Sequence, residues 1–482
     1  MHYKISCTDS DSHLLLIEMH IDSIQTTEIA LQLPAWRPGR YELANFAKNI
    51  QRFKIFDRQG KTVTYRKVTK DRWVVQTKGI SELRVQYTYY AQQRDAGGSW
   101  LDNTLVYINF INCMLYVEGR KNEPCEVVLE MPADYQIACG LTPKARHVLQ
   151  AQDYFQLVDS PMLASNTLQH ETYTVGASTF HLWLWGNCRP DWDLVKDDFT
   201  RFTRKQVEVM GDFPCPDYHF IFQWLPVQHY HGVEHHNSTM IVLGPDTDFE
   251  RLYPELLGIS SHELYHTWNV IRIRPAELMP YDFTRENYFP TGFVAEGVTT
   301  YYGDLFLKRL GVFSLEEYLS ELQTTMKRHF DSHGRSFQSL VESSFDLWLD
   351  GYTAGVPNRK VSIYHKGAVV ALILDLEIRK RTGHVRSLDD VMRFMWEHFG
   401  KTQVGYTLDD YRAAVEEVTG RAQQSYFDEC IFSNAPLQER LNRALDFVGL
   451  QLVTGADGKV QLQVSVEISP EQEENRRKWL DH

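Results

Sequence analysis

The chain predicts an α+β protein: a β-sandwich-like domain over residues 1–165, a second domain of mixed β-sheet and helices over 166–448, and a short tail over 449–482. Three observations carry this division. Short alternating strands separated by turn signals fill the first third. Strand and helix signals mix from about 166, and capped helical segments dominate beyond 255. A chain of 482 residues is long enough for two to four domains with substantial cores.

In the first region, Leu14 to Ile21 and Leu83 to Tyr90 alternate as half-buried strands do, and Cys125 to Met131 continues the pattern. Arg58-Gln59-Gly60 and Arg94 to Gly98 read as turns between them. Trp36-Arg37-Pro38-Gly39-Arg40-Tyr41 is another turn, whose residue types alone suggest a structural role. In the second region, His181 to Trp185, Tyr218 to Phe222 and Ser238 to Leu243 read as strands, with an amphipathic helix from Asp193 to Met210. Ser314, with Glu317 three residues on, forms a capping box; Ser387 and Thr407, each with Asp three residues on, open similar helices. A long helix from about Ile363 ends near Arg379-Lys380-Arg381 with Gly383 beyond. The last stretch reads as a short hairpin, turning at Gly455-Ala456-Asp457-Gly458, and a charged tail.

The chemistry gathers at His262-Glu263-Leu264-Tyr265-His266. On a helix, positions four apart share a face, so the two imidazoles can grip one Zn²⁺. Glu263 lies on a different bearing, where it can take the proton of a bound water rather than ligate. A catalytic zinc needs a third protein ligand. Glu296, 30 positions after His266 and set among apolar neighbours in a helical stretch, is the best candidate.

Two further groups suit a peptidase. Glu234 just precedes the strand that leads to the metal helix. A carboxylate there can pair with a substrate's α-ammonium group or, alternatively, brace the turn with a hydrogen bond. Its neighbours His231, His235 and His236 also invite a second metal site, but no carboxylate or Cys stands at helical spacing to complete one. Tyr364 opens the long helix, where a phenol can donate to an oxyanion; chemistry alone does not separate it from the other tyrosines.

These segments together resemble the glycyl aminopeptidase family of zinc metallopeptidases. The resemblance rests on Gly232 to Thr239, His262 to Asn269 and Glu296 to Tyr302, with Trp36 to Tyr41, Phe46 to Ile50 and Arg272 to Pro275 in order around them. It implies an N-terminal β-domain and a thermolysin-like catalytic domain. It gives the zinc-ligand role to His262, His266 and Glu296 and the general-base role to Glu263. Wider relatives of the aminopeptidase N type hold the substrate's amino end with the Glu of a Gly-x-Met-Glu-Asn strand. Val233-Glu234-His235 is similar to that strand, not identical. Tyr364-His365-Lys366-Gly367 matches their Tyr-x-Lys-Gly helix start, whose Tyr is the oxyanion donor. Two departures stand out. Thr300 occupies the place, four after Glu296, where thermolysin-type enzymes have Asp, so the ligands must be supported differently. Many members end in a PDZ domain, and the roughly 30 residues after Leu452 are too few for one.

The expectation is a zinc aminopeptidase with one Zn²⁺ per chain, acting on peptides and, by the resemblance, preferring small first residues such as Gly or Ala. A zinc endopeptidase and a peptide-binding protein that has lost catalysis remain alternatives. The net charge of −13 argues against nucleic acid or an anionic membrane as partner. Seven scattered Cys, none in a C-x-x-C pair, fit a reducing compartment. The start lacks a basic and then apolar leader, and the longest apolar run, Ala368 to Leu374, is far short of a membrane span. A cytoplasmic location is expected.

Overall fold

The computed structural model describes residues 1–7, 10–456 and 458–481. Its packing divides the chain into two compact units. The first comprises residues 1–190, 215–252 and 282–286; the second comprises 191–214, 253–281 and 287–482.

The first unit is strand-rich. A seven-stranded sheet has Leu14–Ile21 between His2–Ser6 and Leu83–Tyr90. Alternation decides its faces: Leu15, Ile17, Met19 and Ile21 are buried, and the residues between them are not. A four-stranded sheet contains Glu28–Gln32 and Arg72–Gln76. Phe53 of the first sheet stacks on Trp73 of the second, with ring centroids 4.7 Å apart, and on Tyr87 at 5.9 Å. Such aromatic contact between two sheets is the sandwich-like feature that alternation predicts. The buried stretch around Met114 meets its backbone needs through tyrosines. Tyr87, Tyr154 and Tyr3 donate to the carbonyls of Cys113, Met114 and Leu115.

A five-stranded sheet runs in the order Gln169–Val175, Ser178–Trp185, Asp217–Trp224, Ser238–Gly244, His229–Glu234. Its three middle strands are parallel, and every residue of Ser238–Gly244 is buried, as expected of a strand covered on both faces. This sheet belongs to the first unit. Ile221, Val233 and Met240 share one core with Tyr107, Ala138 and Leu163, and Asn237 donates to the Gly140 carbonyl at 2.9 Å. The change of character near 165/166 therefore falls inside a packed unit.

The second unit is helical. The capping boxes at Ser314, Ser387 and Thr407 are all formed. The long helix spans His365–Thr382 and ends on Gly383 at φ 61°, where a left-handed residue is required. Its interior is held by paired charges. Asp375 takes Arg379 at 3.0 Å and the Tyr301 hydroxyl at 2.6 Å, while Asp389 takes Arg309 at 2.9 Å and the Tyr302 hydroxyl at 2.6 Å. Among the described residues, no helix is long and apolar enough to cross a membrane.

The end of the chain is more ordered than its composition suggests. Leu450–Thr454 and Val460–Val464 form the expected hairpin, although Asp457 of its turn lies outside the described residues. The stretch read as a charged tail is a helix, Pro470–Asp481. Trp479 is fully buried and donates to the Tyr301 hydroxyl at 2.9 Å, and the Arg379 guanidinium donates to the Lys478 carbonyl at 3.3 Å. One indole thus ties this helix to the charged interior. Trp479→Ala should cost about 3–5 kcal/mol, the usual penalty for emptying a Trp site, while Trp479→Phe should cost less. Thermal or urea unfolding measures this, and an unchanged midpoint for Trp479→Ala would show that the helix is not part of the folded core.

Candidate metal centre

The helix Tyr253–Tyr265 carries His262 and Glu263, and His266 follows directly after it. Buried Ser261 anchors this helix on one side by donating to the Gly303 carbonyl at 2.7 Å. From another side, Gln206 donates to the Ser261 carbonyl at 2.9 Å. Gly303 lets the next helix, Thr299–Arg309, lie close: a Cβ there would be 3.3 Å from the His262 Cβ. Beyond His266, the Trp268 indole is fully buried and donates to the Asp212 carbonyl at 3.1 Å. The helix is fixed on several sides, so its imidazoles have little freedom.

Glu296 stands in Phe293–Val298, which forms a π-helical turn rather than the regular helix its sequence suggests. The turn brings three donors together. His266 Nε2 lies 3.0 Å from His262 Nε2 and 3.3 Å from Glu296 Oε2, and His262 Nε2 lies 3.8 Å from the same oxygen. One ligand atom from each of the three falls within 4.8 Å of the others. The Glu296 side chain is 3% exposed, and those of His266 and His262 are 2% and 20% exposed. Burial, with the His266 ring beside it, holds the His262 imidazolium well below its ordinary pKa, so the ring is neutral, as a ligand must be. His266 Nδ1 donates to the Asn269 carbonyl at 2.7 Å, which leaves Nε2 as the lone-pair nitrogen. Two imidazole nitrogens and a carboxylate form a donor set that fits a divalent metal of intermediate softness.

Glu263 is buried next to His262 on the same helix. Tyr364 sits half-buried at the start of the His365–Thr382 helix. Its position relative to Glu296 is set by two glycines. A Cβ on Gly367 would be 2.7 Å from the Gly297 Cα, and one on Gly297 would be 2.8 Å from the Ile363 carbonyl. The backbone after Glu296 and the backbone around Tyr364 therefore touch directly, which no side chain at either position would permit.

Glu234 belongs to the other unit. It ends the edge strand His229–Glu234, pairs with Thr239, and is buried. Its carboxylate lies against Gly39, where a Cβ would be 2.9 Å from Oε2, and Gly39 itself has φ +76°. The Trp36 to Tyr41 turn is thus shaped around Glu234, a contact that sequence gave no means of seeing. The neighbouring histidines serve this unit. His235 Nδ1 meets Asp159 at 2.9 Å, and the His236 amide donates to the same carboxylate at 3.1 Å. Burial and the Arg37 charge push the His231 pKa down to about 4. Among the described residues, no group suited to a metal contains any of these three.

Sequence reasoning missed Asn269 and Thr299. Both are fully buried and both bond to the turn that bears Glu296. Asn269 was visible only as the end of Thr267-Trp268-Asn269, with no spacing rule to assign it. The Thr300 hydroxyl, at the place where Asp was the alternative, is buried and has no hydrogen-bond partner among the described residues.

Residues 2–166 match the family model for the Peptidase M61 N-terminal domain, and residues 255–370 match that for M61 glycyl aminopeptidase. The chain belongs to the M61 glycyl aminopeptidase family. No curated protein matches it. An aminopeptidase N family protein from Idiomarina loihiensis is 26% identical, with a TM-score of 0.88 over 98% of this chain and 82% of that one. An M1 zinc metallopeptidase from Deinococcus radiodurans, solved as a variant bound to a Tyr-Ser-Ala substrate, is 14% identical. Its TM-score is 0.56 over 90% of this chain and 94% of its own, which shows a shared fold. This M61 member is accordingly a peptidase, with a strand-rich N-terminal part followed by a helical catalytic part.

Two measurements probe the centre's construction. Gly297→Ala should lose about 10²-fold in peptidase kcat, because displacing one backbone from the other moves Glu296 or Tyr364 by a fraction of an ångström or more. It should also cost about 1–3 kcal/mol of stability through overpacking. Parental kcat in this variant would show that the glycine contact is not needed. The second concerns Asp304, whose Oδ1 would be 3.3 Å from a Cβ on Gly258 of the helix that carries His262. Burial, with the Glu321 carboxylate nearby, raises its pKa to about 7. A folded-state value above the ordinary carboxylate range means that ionisation opposes folding. That cost is absent below about pH 4, grows as pH rises, and is complete above about pH 7. Asp304→Asn should raise Tm by a few degrees near pH 8 and leave it unchanged near pH 4. An equal change at both pH values would rule out the ionisation account.

Proposed function

We propose that this M61 member is a zinc-dependent aminopeptidase that hydrolyses the N-terminal bond of peptides. The observation that carries the reading is the convergence of His262, His266 and Glu296, with His262 held neutral and His266 Nδ1 already committed to a carbonyl. These three residues would hold one Zn²⁺. When bound, zinc supplies Lewis acidity toward a carbonyl oxygen and toward water.

The chain's own groups do the rest. Glu263 accepts a proton from the attacking water and returns it to the leaving amine. The Tyr364 hydroxyl donates to the oxygen that gains charge in the tetrahedral transition state. Glu234 pairs with the substrate's α-ammonium group, which loses its hydration on binding and is costly to leave unpaired. The family resemblance supports a preference for small first residues such as Gly or Ala.

The decisive comparison is one short peptide with a free and with an acetylated amino end. The free form should be cut one residue at a time, and the acetylated form should be inert. Glu234→Gln should keep zinc yet lose on the order of 2–5 kcal/mol of binding to free-amine substrates, with blocked substrates much less affected. Equal cleavage of both forms at internal bonds would replace this reading with an endopeptidase. For the chemical step, Glu263→Gln should retain zinc and lose about 10²-fold or more in kcat, and Tyr364→Phe about 10- to 10³-fold. Parental turnover in either variant would remove that residue from its role. Zinc content measured on His262→Ala should fall from about one per chain to near none.

A further inference from the structure

Beyond the ligands themselves, the buried pair Asn269 and Thr299 occupies the space between His266 and Glu296. The Asn269 carbonyl takes the His266 Nδ1 proton at 2.7 Å. From the same residue, Nδ2 donates to the Val294 carbonyl at 2.8 Å and approaches the Ala295 carbonyl at 3.3 Å and the Thr299 Oγ1 at 3.1 Å. Thr299 Oγ1 in turn lies 2.7 Å from the Ala295 carbonyl and 3.2 Å from the Asn269 carbonyl. Neither side chain is exposed to solvent.

A π-helical turn is wider than an α-helical one and is poorer at holding itself together. Here the two carbonyls just before Glu296 receive side-chain hydrogen bonds from Asn269 and Thr299. Both side-chain bonds are made inside the fold, where no water competes for the carbonyls, so they add to whatever the turn's own backbone supplies. Tightening the turn to the α form would rotate Glu296 about its helix axis and carry its carboxylate off the bearing of His266. The same Asn269 that stabilises the turn also fixes the His266 tautomer, so one residue sets the orientation of two ligands on different elements.

We propose that Asn269 and Thr299 are positioning residues that preset His266 and Glu296 for the metal, by bracing the π turn. This rests on the assignment of those two residues as ligands. Asn269→Asp keeps the shape but turns an acceptor toward two carbonyls. Thr299→Val keeps the shape and removes the hydroxyl, and Thr299→Ser restores it.

The test is the zinc dissociation constant of apoprotein titrated against a chelator, together with the visible spectrum of the cobalt-substituted protein. Asn269→Asp and Thr299→Val should each weaken zinc binding by about 10- to 100-fold, as loss of the groups that orient ligands does. Their cobalt spectra should shift from the parental form, and Thr299→Ser should recover both properties. Should Asn269→Asp fail to fold, the Thr299 pair decides alone. Parental affinity and spectrum in Thr299→Val overturn the inference. So does a Thr299→Ser variant as weak as Thr299→Val, since the hydroxyl would then not be the source of the effect. A parent protein that binds no zinc overturns the proposed function itself, and parental affinity in the variants overturns this inference alone.

Discussion

Three donors with little access to water must stand within reach of one ion, and none of them can be left to orient itself. An unheld imidazole or carboxylate in such a place would rotate toward any better partner or shift its protonation. The surrounding structure answers that constraint at each of the three proposed ligands. Ser261 and Gln206 fix the helix that carries His262. The Asn269 carbonyl fixes the tautomer of His266. Glu296 is fixed from both sides, by side-chain hydrogen bonds to the carbonyls before it and by the glycine contact after it. The proposed metal site is therefore a property of the helical unit's packing, and His262, His266 and Glu296 are only its visible part.

Legibility in the sequence followed the range of the interactions involved. His262, Glu263 and His266 are local: their spacing on one helix says what they can do, and the structure sets His262 Nε2 and His266 Nε2 3.0 Å apart. Helix starts are local too, which is why the capping boxes at Ser314, Ser387 and Thr407 could be read directly. Glu296 needed an argument from apolar context and from resemblance, because 30 residues of loop and helix separate it from His266. Asn269 and Thr299 left no readable mark. Asn is common in turns, Thr is common in helices, and their shared task depends on a π turn that no hydrophobic period announces.

The packing of the two units depends on contacts of the same long range. Composition changes near residue 165 because strands there begin to alternate with a helix. Packing does not follow composition. Val233 and Met240 lie on strands read as part of the second region, yet they bury their side chains with Tyr107 and Leu163 of the first. Apolar side chains carry no label for the sheet they will meet, so period 2 tells which face is buried and not against what. The charged end of the chain misled for a related reason. Its composition is that of a solvated segment, and Asn475, Trp479 and Leu480 carry the burial that makes the helix part of the fold.

Gly39 illustrates how a residue with no chemistry of its own can constrain chemistry elsewhere. It stands 195 positions before Glu234, and its positive φ lets the Trp36 to Tyr41 turn close over that carboxylate. A side chain at residue 39 would meet Glu234 Oε2 at 2.9 Å and would also be strained by the backbone angle, so both the space and the conformation require glycine. The guanidinium of Arg37, in the same turn, lies against Gly97, where a Cβ would collide with it. Two glycines distant in sequence thus let one turn lie close against buried polar groups. Volume in such a place cannot be traded, because any atom added must displace a carboxylate or a guanidinium whose hydrogen bonds were formed at the expense of water. The constraint is steric: Glu234 can keep its place only if the residue facing it has no side chain.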